Sequence, residues 1–463
     1  MIRGIAVVDA GKTTTKVNLF DSSGAFLAAR KVAAVTNEGP PYRTIDTKPL
    51  IAFCEEALAE LDAIQPIDVV VPSAHGAALA LLAEDGSLTM PVMDYTSEPP
   101  PDIIAEYNKV APPFEETFSP TLPLALTHGL QLYWQQQNWP DAFAKTTTVV
   151  PWIQYITFLL SGKRVTEIAS MSCQSHLMDV RTNTLSSLVR SQGWSHLFPP
   201  MVKAWDAVGE LTPQFKNQNF RGRGIVLAGV HDSNGNYLRY LAAGQKNFTL
   251  LSTGTWIIGF NSEAKLSSLD PRKDTVSNTD VFGRPIACCR FFGGREFEML
   301  SEGAPGNAAS LGTVESLIDQ GTFARPSFTE SGGPVPNVGG KGKIIGPYAK
   351  TPEERASLAS LYCALMVCES LDAINSKNDV VVDGPFSDNK IFLQLLSQMR
   401  GNQNILSSDL RDGTTAGAAC LALMPDGSLP HAPLSLRRSQ ASKLAGLQAY
   451  QIEWKKLAYA ERV

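Results

Sequence analysis

The chain lacks the cysteine pattern of a stapled or zinc-bound domain. Its seven cysteines are odd in number, include no Cys-x-x-Cys pair, and fall at 54, 173, 288, 289, 363, 368 and 420. Neither a disulfide framework nor a zinc site is expected from them. Each reads as a small buried hydrophobe in a reduced, cytoplasmic setting. A basic stripe is also missing: Lys and Arg are dispersed and the net charge is -5, so no nucleic-acid partner is expected. Long apolar runs are scarce. The opening five residues lack a signal peptide's apolar stretch. The runs near residues 153–160 and 416–424 are too short or too broken to span a bilayer, so no membrane partner is expected. What remains is an ordinary globular composition, 44% hydrophobic and 18% charged. At 463 residues the chain exceeds one comfortable core, and two domains are the expectation.

The start of the chain reads as strand, corner, strand, turn, strand. Residues 5–8 are apolar, residues 9–13 form a polar corner, and residues 17–20 resume an alternating strand. Ser22-Ser23-Gly24 is a hairpin turn, and residues 26–28 begin a third strand. A helix follows over 49–61, then a buried strand at 69–71 that runs into Ser73-Ala74-His75-Gly76. Pro-rich stretches at 98–102 and 111–113 read as loops, and helical patterns dominate 124–160. A second strand, corner, strand unit opens at residue 248, turns at Ser252-Thr253-Gly254-Thr255 and leaves through 256–260. The unit occurs only twice and far apart, which excludes a solenoid and points to a duplicated α/β domain. A late strand at 379–382 ends at Asp383-Gly384-Pro385, and helical patterns cover 390–399 and 415–423. The boundary is expected near residue 240, giving domains 1–240 and 241–463.

Three places carry chemistry. In the first corner, Asp9-Ala10-Gly11-Lys12-Thr13-Thr14, Gly11 permits a tight turn. The threonine hydroxyls and backbone N–H groups there can form an anion-binding concavity, and Asp9 at the strand end can hold Mg²⁺. A plain hairpin explains the same residues. Ser252 to Thr255 follows the same logic, and two such cradles would clamp a polyphosphate. Between them, Gly229-Val230-His231-Asp232 follows the apolar run 224–228 and precedes a helical pattern through 237–243. Asp232 thus sits at a strand's carboxyl end, where ligand sites of α/β sheets concentrate. It can accept a proton from a hydroxyl nucleophile, or simply cap the helix. His75 can contact a polar substrate or be structural.

Taken in order, these residues resemble the FGGY family of carbohydrate kinases. Asp9 to Lys16 is similar to the family's first corner, Gly229 to Asp232 to its Gly-x-His-Asp base motif, and Ser252 to Trp256 to the Ser-x-Gly-Thr-Trp corner of the L-fuculose and L-rhamnulose kinase branch. Ser73 to Gly76 resembles the Met-His-Gly segment of xylulose kinases. Residues 166–179 resemble a Thr-Asp…Leu-x-Asp stretch, Asp383 to Asn389 the adenosine segment, and Gly413 to Ala419 a helix near the C-terminus. Two departures stand out. Lys12 replaces the usual Thr or Ala, and Asp383 and Pro385 replace two glycines.

The resemblance implies an α/β fold of two actin-like (ribonuclease H-like, hexokinase/Hsp70/actin) domains with a ligand cleft between them, closing on a hinge. It implies ATP and Mg²⁺ as cofactors. Asp9, Gly11, Lys12, Thr13, Thr14, Thr253, Gly254 and Thr255 would surround the phosphates, with Mg²⁺ near Asp9. Gly384, Pro385, Ser387 and Asn389 would take the adenosine. The sugar would meet His75, Gly76, Tyr95, Glu167, His231, Arg295 and the base, Asp232. For Arg295 a solvated ion pair is the rival reading. The implied reaction is phosphorylation of a small ketose such as L-fuculose, L-rhamnulose or xylulose, and a homodimer is compatible with it. A catalytically degenerate sugar or nucleotide sensor and an actin-like ATPase are the competing functions. An ATP-consumption assay over a sugar panel separates the three.

Overall fold

The computed structural model describes residues 2–330, 332–347, 349–408 and 412–460, so Met1 of the opening segment lies outside the described residues. The chain forms two compact units. Unit 1 comprises Met1–Gln245, Ser277–Pro285 and Asp412–Pro433; unit 2 comprises Lys246–Val276, Ile286–Arg411 and Leu434–Val463. A single boundary near residue 240 therefore misses two return segments, because neither carries a local signal of which core it joins.

In unit 1, strand β1 (Gly4–Ala10) is buried at every position. Its side chains alternate between two cores, Ala6, Val8 and Ala10 on one face and Ile5 and Val7 on the other. It pairs antiparallel with β2 (Thr14–Asp21), which pairs antiparallel with β3 (Phe26–Ala33). Gly24 in the hairpin takes φ +83°, where glycine alone is unstrained. Helix α1 (Thr47–Ile64) starts where Asp46 accepts a hydrogen bond from the Lys48 N–H, and it buries Leu50, Cys54, Leu58 and Leu61 at helical spacing. It returns the chain to β4 (Ile67–Ala74), parallel to β1 on its other side.

The stretch 124–160 is not wholly helical. Strands β5 (Leu79–Leu82) and β6 (Thr148–Pro151) form a two-stranded antiparallel sheet. Of the two, β6 lies between helices α2 (His128–Asn138) and α3 (Trp152–Ser161), in the second half of that stretch. The β-branched Thr148-Val149-Val150 favours the strand. After α4 (Ile168–Ser172), the main sheet is completed by β7 (Ala207–Glu210) and β8 (Ile225–Leu227), with β9 (Val230–His231) pairing the end of β4. Helix α5 (Asp232–Ala242) follows directly.

Unit 2 repeats the plan. Strand β10 (Phe248–Thr253) pairs antiparallel with β11 (Ile257–Asn261), as β1 does with β2. Strands β12 (Thr275–Thr279) and β13 (Pro285–Phe291) extend that side. On the other side β10 is parallel to β14 (Asp379–Asp383), as β1 is to β4, and β15 (Ile405–Ser408) and β16 (Leu436–Arg438) complete the sheet. Helix α6 (Gly293–Ser301) follows β13, and α7 (Pro352–Ala373) crosses the core. Among the described residues α7 is the one helix long and apolar enough to cross a bilayer, a length the apolar runs singled out in the sequence do not reach; 89% of its apolar window is buried. Its Leu358, Leu361, Leu365 and Leu371 pack with Val380, Val382 and Phe392, the last from α8 (Lys390–Met399).

The chain then returns to unit 1 with α9 (Gly413–Ala422), which packs on α5 backbone to backbone. A Cβ on Gly417 would lie 1.8 Å from the Gly235 carbonyl oxygen.

Candidate active site

The first corner closes on itself. The Gly11 N–H donates to the Thr14 carbonyl at 3.1 Å, and a Cβ on Gly11 would stand 3.0 Å from that oxygen. The expected concavity thus loses the Gly11 donor. Among the described residues the N–H groups of Lys12 and Thr13 enter no backbone bond and remain available. The Lys12 ammonium does not hang free at the turn. It donates to Asp94 Oδ2 and lies 4.7 Å over the Tyr95 ring.

Asp9 follows from the strand register. It sits opposite Lys16 on β2 and Ser73 on β4. Ser73 Oγ donates to Asp9 Oδ1 at 3.1 Å, and Lys16 Nζ lies 3.3 Å from Oδ2. Burial pushes the Asp9 carboxyl up to about 6; Lys16 opposes this, and the Asp232 and Asp412 carboxylates add to it. Lys16 also reaches Asp412 Oδ2 at 2.7 Å, where Asn18 Nδ2 donates at 2.9 Å. Asp412 in turn caps α9, its Oδ1 accepting from the Thr415 N–H at 3.2 Å. The sequence reading gave Asp412 no role; an Asp before Gly-Thr-Thr is the one local signal that could have marked it.

Asp232 is the first residue of α5, one step inside the cap position held by His231. Its Oδ1 takes the N–H and hydroxyl of Ser233, and Oδ2 takes no hydrogen bond among the described residues. The side chain is 29% exposed. His231 is fixed beside it. Its Nε2 lies 3.2 Å from Asp232 Oδ1 and 3.8 Å from Cys173 Sγ, while Nδ1 meets Asn234 Oδ1 at 2.7 Å. Asn234 presents its oxygen because its Nδ2 donates to the Thr279 carbonyl and because Asn278 Nδ2 donates to the same oxygen at 3.0 Å. That makes Nδ1–H of His231 the donor. Burial works against an imidazolium here, but Cys173 and Asp232 outweigh it and raise the His231 pKa. Cys173 and Asn234 were missed; neither belongs to a spacing pattern.

His75 follows β4, half-buried, with Tyr95 edge-on at 5.6 Å and Trp152 stacked at 6.4 Å between ring centres. Burial pushes its pKa down to about 4, against the pull of Asp232, so the ring is neutral. Its Nδ1 is buried with no hydrogen-bond partner. Gly76 makes room rather than contact: a Cβ there would come within 2.7 Å of His231 Cδ2. Glu167, expected at the sugar, is wholly buried and caps α4, accepting from the N–H groups of Ala169 and Ser170 and from the Ser170 hydroxyl, each at 2.9 Å. Burial lifts it to about 7. All its oxygens are used inside the protein.

In unit 2 the second corner closes like the first. The Gly254 N–H donates to Trp256 O at 2.8 Å, so it is not the open donor expected; Thr255 is exposed. Thr253 is a brace rather than a ligand group. Its Oγ1 accepts from the Phe386 N–H at 3.1 Å and donates to the Asp383 carbonyl. Gly384 takes φ +83°, and a Cβ on it would lie 2.0 Å from the Thr253 carbonyl. Pro385 starts a single 3₁₀ turn where no N–H is needed. Ser387 closes that turn, its N–H donating to Gly384 O at 2.9 Å. Asn389, expected at the adenosine, caps α8 through the Phe392 N–H at 3.0 Å and donates to Ser360 Oγ at 2.9 Å. Arg295 forms the solvated pair, 2.6 Å from Glu298 on an exposed face of α6. Unit 1 therefore brings together Asp9, Lys12, His75, Tyr95, His231 and Asp232; Glu167, Asn389 and Arg295 are spent elsewhere.

Comparison with known proteins identifies the family. Residues 5–236 match the model of the FGGY family of carbohydrate kinases, N-terminal domain, and residues 245–431 match that of carbohydrate kinase FGGY, C-terminal domain. The structure of a carbohydrate kinase from Novosphingobium aromaticivorans is 30% identical, with a TM-score of 0.87 over 98% of this chain and 100% of that one. A xyloylose kinase from Brucella ovis (17% identity, TM-score 0.81, 98% of each chain) and the Plasmodium falciparum glycerol kinase with ADP (13%, 0.81, 100% of this chain and 99% of that one) share the fold. The Bacillus subtilis (strain 168) protein YoaC is 32% identical over 117 residues, 24% of this chain and 24% of its own length. The fold is α/β with two actin-like domains.

Proposed function

Since the chain belongs to the FGGY family of carbohydrate kinases, we propose that it transfers the γ-phosphoryl group of ATP to a hydroxyl of a small sugar, with Asp232 as the base. The observation that carries this reading is the Asp232 carboxylate itself: Oδ1 is tied down by Ser233 and Oδ2 is unclaimed at a partly exposed strand end. A base needs one oxygen to aim and one fixed to aim it.

The residues fit a nucleotide and a divalent cation. Asp9 is held above its usual pKa by burial and by neighbouring carboxylates, an arrangement a cation relieves. Mg²⁺ takes one or two carboxylates plus phosphate oxygens, and Asp9 offers such a carboxylate. Asp9 would hold it, and the Lys12 and Thr13 N–H groups would receive phosphate. The ADP in the glycerol kinase structure supports the nucleotide. When bound, ATP and Mg²⁺ supply the transferable group and neutralise its charge.

The protein's own part is to hold the acceptor. Neutral His75 contacts a sugar oxygen without competing for a proton. Asp232 Oδ2 takes the hydroxyl proton as the oxygen attacks, and the proton rests on that carboxylate next to the His231 ring. Candidate acceptors are ketoses such as L-fuculose, L-rhamnulose and xylulose. The seven free, buried cysteines support a reducing, cytoplasmic setting. Asp232→Asn keeps size and the Ser233 bonds and is expected to lower kcat by about 10²–10⁴ for every accepted sugar. Sugar-dependent ADP release by that variant at the wild-type rate refutes the assignment.

A further inference from the structure

Lys12 stands at the turn of the first corner, and the structure gives its ammonium a buried partner. Asp94, only 1% exposed in its side chain, receives the Lys12 ammonium on Oδ2 and the Thr96 N–H (2.8 Å) and hydroxyl (2.7 Å) on Oδ1. Burial disfavours the Asp94 charge, but these donors hold its pKa below the usual range. Lys12 spends one of its three N–H donors there and keeps 27% of its side chain exposed. Both residues line a solvent-open recess, together with Gly11, His75 and Trp152. His75 lines the recess and carries a buried ring nitrogen with no partner, and the next residue, Gly76, abuts the His231 ring beside the base.

We propose that the Lys12–Asp94 pair selects the acceptor, Lys12 donating to an oxygen of a neutral polyhydroxy sugar and the pair together rejecting sugar acids. The inference rests on the kinase reading above and names its substrate class. An unpaired lysine in a recess would attract a carboxylate; this one is already neutralised. The surrounding charge does not favour an anion either. Of the charged residues that line the recess, Lys12 stands against Asp94 and Asp46, which leaves a surplus of negative charge. A hydroxyl or carbonyl oxygen can use the remaining ammonium donors, whereas an aldonate would bring its charge against that surplus.

The test compares wild type, Lys12→Met, Asp94→Asn and the double variant with ATP and matched pairs of ketoses and aldonates, following sugar-dependent ADP release and thermal melting. Lys12→Met is expected to raise the sugar KM about tenfold or more, with the ATP KM little changed. Asp94→Asn, which frees the Lys12 charge, is expected to raise the aldonate-to-ketose ratio of kcat/KM about tenfold. The double variant removes both charges and guards against misfolding from one buried orphan. A raised ATP KM with an unchanged sugar KM in Lys12→Met overturns the proposal, as does a wild type that turns over aldonates as well as ketoses. If no sugar drives ADP release, melting shifts with the same sugars decide. A ketose-induced shift that Lys12→Met abolishes sinks the kinase reading alone; no shift with any ketose sinks both.

Discussion

His231 Nε2 lies 3.2 Å from Asp232 Oδ1, and the ring is kept there by the 2.7 Å bond between its Nδ1 and Asn234 Oδ1. The proposed base therefore has a positioned polar neighbour whose own orientation is set from behind. Whatever crowds that ring disturbs the base without touching it.

Gly76→Ala supplies such crowding, since the new Cβ would stand 2.7 Å from His231 Cδ2 and 3.1 Å from Cys173 Sγ. The variant is expected to lose about tenfold or more in kcat, and the loss should shrink when His231→Ala is added, giving a coupling of roughly 1–3 kcal/mol in the double-mutant cycle. Strictly additive losses would mean that Gly76 acts in some other way.

Acid should weaken the fold through His75. Burial pushes its pKa down to about 4 from the ordinary 6.5. Between those two values the unfolded chain binds the proton and the folded chain does not, so stability falls as pH drops through the window, by about 3 kcal/mol from this ring. His128 and His176 are pushed down in the same way, to about 3 and about 4, and add to the slope, while Asp9 and Glu167, raised to about 6 and about 7, bind protons in the folded chain and offset part of it. His75→Gln is expected to flatten the acid limb by its own share. Urea midpoints between roughly pH 4 and 7 measure this, and a variant slope as steep as wild type's contradicts it.

Gly417→Ala should cost stability rather than chemistry. Its Cβ would lie 1.8 Å from Gly235 O, in the seam between α5 and α9. A loss of about 3 kcal/mol is expected from forcing the two helices apart, read from urea unfolding. An unchanged midpoint would show that the seam is loose.

Much of the fold was legible because its signals are local. The two strand, corner, strand units announce themselves by alternation and by Gly-Thr corners, and Asp232 by its place between an apolar strand and a helix. What stayed hidden depends on partners far along the chain. Nothing near Lys12 announces Asp94, 82 positions away, and nothing near Lys16 announces Asp412, 396 positions away. Glu167 and Asn389 are ambiguous for the opposite reason. Each serves a helix start a few residues on, and a capping side chain and a ligand-binding one share the same residue types at strand ends. The Gly254 N–H was misjudged because a glycine corner can aim its amide outward or close on itself, and sequence does not distinguish the two.

Unit 1 holds a consequence for how the protein comes into being. Helix α9 and its flanks, Asp412–Pro433, are translated after almost all of unit 2, yet they supply Ala418, Leu421 and Met424 to the core that covers Ile5 and Val7. A ribosome that has released the first 245 residues has therefore made a sheet with one face only partly covered, by Trp205 and by Leu238 and Ala242 of α5, and with the α5 glycine seam unmatched. That intermediate must wait, sticky and unfinished, for nearly the whole remaining chain. Contacts of such sequence separation close slowly, and apolar surface left open in the meantime invites aggregation. Holding chaperones, or a low synthesis temperature, should matter more for the yield of this protein than for one of the same size whose domains are contiguous.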